Sequence, residues 1–88
     1  MAVKFPFSLV SPQREMFSGR VDQVNARGVE GSFGVLAGHA PFMTALVDGR
    51  RVHVFTDGEE RLFEVRGGFA DVTPEGLTIL AETIEEVS

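Results

Sequence analysis

The chain is 88 residues long and carries 8 Lys and Arg against 13 Asp and Glu, a formal net charge of -5. One domain is expected, and two lobes with a cleft between them are excluded, because a chain this short buries only about 60 to 65% of its unfolded surface. The acidic balance opposes nucleic acid and anionic lipid, no window approaches the ~20 apolar residues of a spanning helix, and the absence of Cys leaves no disulfide framework or thiolate metal site. A soluble chain of a reducing compartment, without direct membrane insertion, is the expectation. The aromatic content is 8 Phe with no Trp or Tyr, which argues against a glycan-binding surface.

Short runs rich in Val, Phe, Ile, Leu and Thr alternate with 10 Gly and 4 Pro spread over the whole length. They predict strands at Phe5–Val10, Phe17–Arg27, Ser32–Leu36, Pro41–Leu46, Arg51–Thr56, Arg61–Arg66, Gly68–Thr73 and Leu77–Ala81. Gly28 to Gly34 reads as an irregular loop between strands, its glycines serving positive φ or close approach. A hairpin with a four-residue loop, Asp57-Gly58-Glu59-Glu60, pairs Thr56 with Arg61, Val54 with Phe63 and Val52 with Val65 on the core face. Its other face then sets Phe55 opposite Leu62, His53 opposite Glu64 and Arg51 opposite Arg66. A second hairpin turns at Thr73-Pro74-Glu75-Gly76, setting Val72 against Leu77 and Ala70 against Ile79. Hairpins with one apolar face each must bury those faces against one another, so the fold class is all-β, an antiparallel two-sheet sandwich or flattened barrel.

Chemistry-bearing patterns are sparse. His39 and His53 lie far apart without metal-ligand spacing, and no metal or cofactor site is expected. His39, in Gly38-His39-Ala40-Pro41, is either a loop imidazole bonded to backbone or a contact at a partner surface. His53 opposite Glu64 reads as a cross-strand polar pair; an acid/base role would need a pocket beside them. Gly28-Val29-Glu30-Gly31-Ser32-Phe33-Gly34 lacks the Lys-Ser/Thr of a phosphate loop and opens no helix. No serine sits in a GxSxG context. Catalytic and cofactor-binding residues are therefore none. Opposed Arg51 and Arg66, with Phe55 beside Leu62, point to a face covered by another chain or strand.

The order of motifs is more specific. Val10-Ser11-Pro12, Met16-Phe17-Ser18-Gly19, Gly28, Glu30-Gly31, Gly34-Val35-Leu36, Gly38-His39-Ala40-Pro41, Thr44-Ala45-Leu46, Gly49, Gly67-Gly68-Phe69 and Thr78-Ile79-Leu80-Ala81-Glu82 follow one another. In this series the chain resembles the epsilon subunit of bacterial F-type ATP synthases over residues 3 to 84, most specifically from Gly34 to Leu46.

The resemblance implies a β-sandwich over residues 1–84 that catalyses nothing itself. It would sit in the central stalk, joining the gamma subunit to the ring of c subunits and coupling proton flow to ATP synthesis, peripheral to the cytoplasmic face of the bacterial plasma membrane. It assigns gamma to Ser11, His39, Ala40, Pro41, Phe42 and Thr44. It assigns the c-ring to Gly28, Val29, Glu30, Gly31 and Ser32. Members of the family usually continue into a C-terminal helical hairpin that inhibits ATP hydrolysis. Here residues 85–88 form a tail where that hairpin would begin, so inhibition and ATP sensing are not expected of these residues. The alternatives are a stand-alone β-sandwich binding module and a small enzyme using His53 and Glu64.

Overall fold

A computed structural model describes residues 3–38 and 40–87, and among them the chain forms ten strands and no helix. These are β1 (Phe5–Val10), β2 (Glu15–Val21), β3 (Gln23–Gly28), β4 (Gly31–Val35), β5 (Phe42–Ala45), β6 (Arg51–Thr56), β7 (Glu59–Arg66), β8 (Phe69–Thr73), β9 (Gly76–Leu80) and β10 (Thr83–Val87). One sheet has the order β2-β1-β9-β8-β5 and the other β10-β7-β6-β3-β4. The two face each other as an open sandwich, as the alternating apolar runs require.

Alternation within each strand decides the core. Phe5, Phe7 and Leu9 of β1, Val52 and Val54 of β6, Phe63 and Val65 of β7, Ala70 and Val72 of β8, and Leu77 and Ile79 of β9 are all buried. Val21, Val24, Ala26, Val35, Leu46 and Ala81 complete the layer. No polar or charged side chain joins them among the described residues.

The 73–76 hairpin has the expected register, Val72 with Leu77 and Ala70 with Ile79. The β6–β7 hairpin does not. Thr56 pairs with Glu59, Val54 with Arg61 and Val52 with Phe63, so the loop is the two residues Asp57-Gly58. Both have positive φ, 53° and 79°, the signature of a tight hairpin turn whose twist suits the strands. The shift from the expected register is two residues, which leaves each side chain on its expected face. It does change every partner on the outer face. Arg51 lies opposite Glu64 rather than Arg66, His53 opposite Leu62 rather than Glu64, and Phe55 opposite Glu60 rather than Leu62. The expected arginine repulsion is absent, and Phe55 and Leu62 are half-buried.

The expected single strand Phe17–Arg27 is two strands in different sheets. The chain crosses between them at Asp22, whose N–H donates to the Phe55 carbonyl at 2.9 Å. Its carboxylate accepts from Lys4 Nζ at 3.2 Å and from the Asp57 N–H at 2.8 Å. Crossing reverses the inward parity, so Val21 and Val24 are both buried, each in its own sheet. One pair is parallel, β1 with β9, where the expectation was antiparallel throughout. These strands lie far apart in sequence, so no hairpin dictates their direction. Gly76 opens β9 against β1, and a β-carbon there would collide with the Pro6 carbonyl oxygen.

β10 has no counterpart among the predicted strands. It pairs antiparallel with β7, from Thr83 opposite Arg66 to Val87 opposite Leu62. Arg61 clamps it through both carboxylate oxygens of Glu86, at 2.8 and 2.9 Å, while lying 5.2 Å from the Phe17 ring centroid and 5.3 Å from that of Phe63. The Arg61 hydrogen bonds hold the Glu86 carboxyl below its ordinary value.

Candidate functional site

The β3–β4 hairpin carries Gly28, Val29, Glu30, Gly31 and Ser32, and it is a tight two-residue turn rather than an irregular loop. Gly28 pairs with Gly31, and Val29-Glu30 form the tip, both exposed. Gly28 is where close approach matters. A β-carbon there would stand 3.0 Å from Thr44 Oγ1 and 3.2 Å from Thr44 Cγ2, tighter than an ordinary contact. The Val29 N–H donates to the Ala45 carbonyl at 2.9 Å, and Gly28 bridges to Leu46. The hairpin tip is thereby strapped to the end of β5, with Glu30 in solvent. Ser32 accepts from Arg27 Nη1 at 3.2 Å across the hairpin.

Of the residues Ser11, His39, Ala40, Pro41, Phe42 and Thr44, the described ones do not form one patch. His39 lies outside the described residues. Ala40 and Pro41 are exposed just before β5. Phe42 lies opposite Val72 on the inward face and is 38% exposed, its ring edge-on to Phe33 at 5.1 Å. It closes the gap between the edge strands β5 and β4. Thr44 also faces inward, against Gly28. Ser11 sits just past the end of β1 in the same sheet, in the connection to β2. Phe42, Val72, Leu77 and Phe7 share one row, so Ser11 is three strands across and four residues along from Phe42. That separation is about 14 Å by about 13 Å from strand spacings. The Ser11 side chain is engaged locally: its Oγ donates to the Arg14 carbonyl at 3.2 Å and accepts from the Arg14 N–H at 3.3 Å.

What joins Ser11 to Thr44 is a row that residue-by-residue reading missed. Val10 pairs with Leu80, Leu80 with Phe69, and Phe69 with Ala45. Their neighbours Leu9, Ile79 and Ala70 are buried, so the four point outward. Leu80 is 53% and Phe69 39% exposed, and Met43, two residues before Ala45 on the same face, is 62% exposed. A single Leu in solvent is unremarkable, but a row of apolar side chains across four strands marks a contact surface. The signal was present: with Ala70, Val72, Leu77 and Ile79 inward, alternation sends Phe69 and Leu80 outward.

The acid/base alternative has no geometric support. His53 Nδ1 lies 2.6 Å from Glu60 Oε2, not against Glu64. An ionised carboxylate only accepts, so Nδ1 carries the proton. The imidazole stacks beside Phe55, with rings 6.5 Å apart and 14° from parallel. No group of three or more His, Asp or Glu with metal-holding geometry occurs among the described residues.

Comparison with known proteins agrees with this architecture. The family model described as "ATP synthase, Delta/Epsilon chain, beta-sandwich domain" matches residues 4–87. The chain is similar to an ATP synthase epsilon chain of Caulobacter vibrioides, 59% identical over 85 residues, covering 97% of this chain and 98% of the relative. An ATP synthase epsilon chain of Hyphomonas neptunium is 60% identical over 88 residues, of which this chain spans 65%. Among solved structures, a chain of the Euglena gracilis mitochondrial ATP synthase, in an assembly of OSCP, F1 and c-ring, superposes with a TM-score of 0.88 at 25% identity, covering 98% of this chain and 55% of that one. A chain of the Tetrahymena thermophila mitochondrial ATP synthase central stalk and c-ring shares the fold, with a TM-score of 0.77 at 16% identity, covering 96% and 67%. A motif series, an open two-sheet sandwich and a family model matched over nearly the whole chain converge: the chain belongs to the delta/epsilon family of ATP synthase β-sandwich domains.

Proposed function

We propose that this chain is a non-catalytic rotor subunit of a proton-translocating F-type ATP synthase, standing between the gamma subunit and the c-ring and passing torque from one to the other. Packed interiors have low compressibility and transmit strain, and this sandwich has an apolar core with no polar inclusion among its described residues. Membership in the family, and relatives that are ATP synthase epsilon chains, support the assignment to that membrane-associated complex. Among the described residues no helix is long and apolar enough to cross a membrane. Attachment would run through protein contacts at the cytoplasmic face of the plasma membrane.

The observation that carries the gamma contact is the exposed row Val10, Leu80, Phe69 and Ala45, flanked by Ser11 at one edge and Thr44 at the other. Covering a Leu or Phe side chain that is otherwise in solvent is worth about 1.5 to 3 kcal/mol. The exposed Ala40 and Pro41 extend the face beyond β5. The c-ring contact falls to the β3–β4 tip, where Glu30 offers a charge to the polar loops of the ring.

Leu80→Arg tests the gamma contact. The side chain is exposed, so the isolated domain should keep its fold and unfolding midpoint. Co-purification with gamma should drop at least tenfold. Undiminished gamma binding by the folded variant would refute the placement.

A further inference from the structure

The opposite sheet carries a second feature that the rotor assignment leaves unused. On the outer face of β4, β3 and β6 lies a cavity of about 790 Å³, open to solvent, whose lining includes Asn25, Arg27, Ser32, Arg50, Arg51 and His53 and no Asp or Glu. In a chain of net charge -5, three of the 8 basic side chains converge here.

The convergence follows from the fold. Val24 and Ala26 are inward on β3, so Asn25 and Arg27 point out; Val52 and Val54 are inward on β6, so Arg51 and His53 point out. Asn25 lies opposite His53, and Arg27 opposite Ser32. Gly34 leaves the floor low beside Asn25; a β-carbon there would stand 2.7 Å from Asn25 Oδ1. Arg50 enters from the 47–50 turn.

Three of the five cations outside the cavity are matched by carboxylates, while among the described residues Arg14 and Arg20 stand singly and Arg20 binds only the Lys4 carbonyl. Lys4 is paired with Asp22 and Asp57, Arg61 with Glu86, and Arg66 with Glu64. The guanidinium groups of Arg50 and Arg51 have no carboxylate within 4.0 Å among the described residues, and Arg27 binds only the Ser32 hydroxyl. Asn25 Oδ1 accepts from Gln23 Nε2 at 2.8 Å, which turns the two donors of its amide away from that bond. The lining therefore presents donors and positive charge and no carboxylate of its own, and the carboxylates beside it, Glu60 and Glu64, are bound to His53 and Arg66.

We propose that this trough docks an acidic segment of a partner protein, a run of Asp or Glu side chains lying across β4, β3 and β6. Arg27, Arg50 and Arg51 are all exposed, so no desolvated pocket exists to hold a small free anion against water. Arg27 and Arg51 lie on the neighbouring strands β3 and β6, about one strand spacing apart, and Arg50 precedes Arg51 in the chain, so several carboxylates of one segment can meet them. The planar guanidinium is suited to bidentate pairing with each carboxylate. This surface is on the other sheet from the apolar row, so the proposal stands or falls independently of the gamma contact.

Titrating the isotopically labelled chain with a hexaglutamate peptide, followed by amide NMR shifts, tests it. Asn25, Ser32, Gly34, Arg51 and His53 should shift, and affinity should fall at least tenfold as NaCl rises from about 50 to about 500 mM. Arg50→Glu with Arg51→Glu should remove the shifts while the dispersed spectrum of a folded chain persists, and Arg50→Lys with Arg51→Lys should retain part of the binding. Three results would overturn the proposal. One is no shift in the trough. Another is an equal loss from Arg14→Glu, an exposed arginine outside the cavity, since binding would then be general attraction. The last is tighter occupation of the same residues by pyrophosphate or by phosphatidylglycerol vesicles, which would make the trough an oxyanion or lipid site.

Discussion

Asp22 joins three parts of the chain through one carboxylate. It accepts from the Asp57 N–H and from Lys4, and Lys4 Nζ reaches on to Asp57 at 2.7 Å. The Asp57 N–H, then Lys4, holds the Asp22 carboxyl below its ordinary value. A carboxyl with a depressed folded value stabilises the fold at pH above its unfolded value, and that contribution disappears as pH falls through the folded one. The window is therefore below about pH 4, the ordinary aspartate value. Lys4 is raised by the hydrogen bonds to Asp57 and Asp22, so its share is present at neutral pH and lost only in strong alkali, above the ordinary lysine value. Asp22→Asn should be less stable than the parent at pH 7, with the gap closing as pH falls below 4. Urea midpoints measured from pH 2 to pH 7 check this, and a gap constant across that range would remove Asp22 from the acid limb.

At the level of elements, the β6–β7 hairpin shows how a turn sets a register. Asp57 and Gly58 both occupy the left-handed region, which non-glycine residues enter at a cost of about 1 to 2 kcal/mol. Aspartate tolerates it, and here its side chain also meets Lys4. Nothing lies within 4 Å of a β-carbon built at Gly58. Gly58→Ala therefore tests backbone conformation without a steric clash, and chemical denaturation should show a loss of about 1 kcal/mol with the fold retained. No loss would mean that the turn relaxes to another geometry. A two-residue turn and a four-residue turn differ by two in register and bury the same side chains, so burial patterns alone could not separate them. The Asp-Gly dipeptide could have, through its turn chemistry.

For the molecule as a whole, stability rests on one apolar layer between the sheets. Phe63 is fully buried in it, with Phe17 of the other sheet edge-on at 6.4 Å and Phe17 in turn 5.5 Å from Phe7 on the neighbouring strand. Phe63→Ala should cost about 3 to 5 kcal/mol. A domain of this size has roughly 4 to 13 kcal/mol in total, so the variant should melt far lower or be partly unfolded at room temperature. Calorimetry should still show a single transition, because neither sheet has another surface against which to bury its inner face. Two transitions would mean the sheets fold separately.

Much of this protein was legible from its residues. Alternation in β6, β7, β8 and β9 identified Val52, Val54, Phe63, Val65, Val72, Leu77 and Ile79 as core, because period two leaves one choice of inward face. Thr73-Pro74-Glu75-Gly76 specified its own turn and hence its register. The ordered motifs specified the family. Other features needed the folded chain, because they depend on residues distant in sequence. Asp22 ends one strand and begins another only because Lys4 and Asp57 converge on it from outside its own segment. β1 runs parallel to β9, and β10 finds β7, through pairings with no connecting turn to announce them. Ser11 and Phe42 are grouped by resemblance but stand three strands apart in a sheet, while Val10, Leu80, Phe69 and Ala45 form a row that four separate strands assemble. The convergence of Arg27, Arg50 and Arg51 likewise exists only once β3 and β6 are paired, since proximity across strands is a property of register and not of any single run of residues.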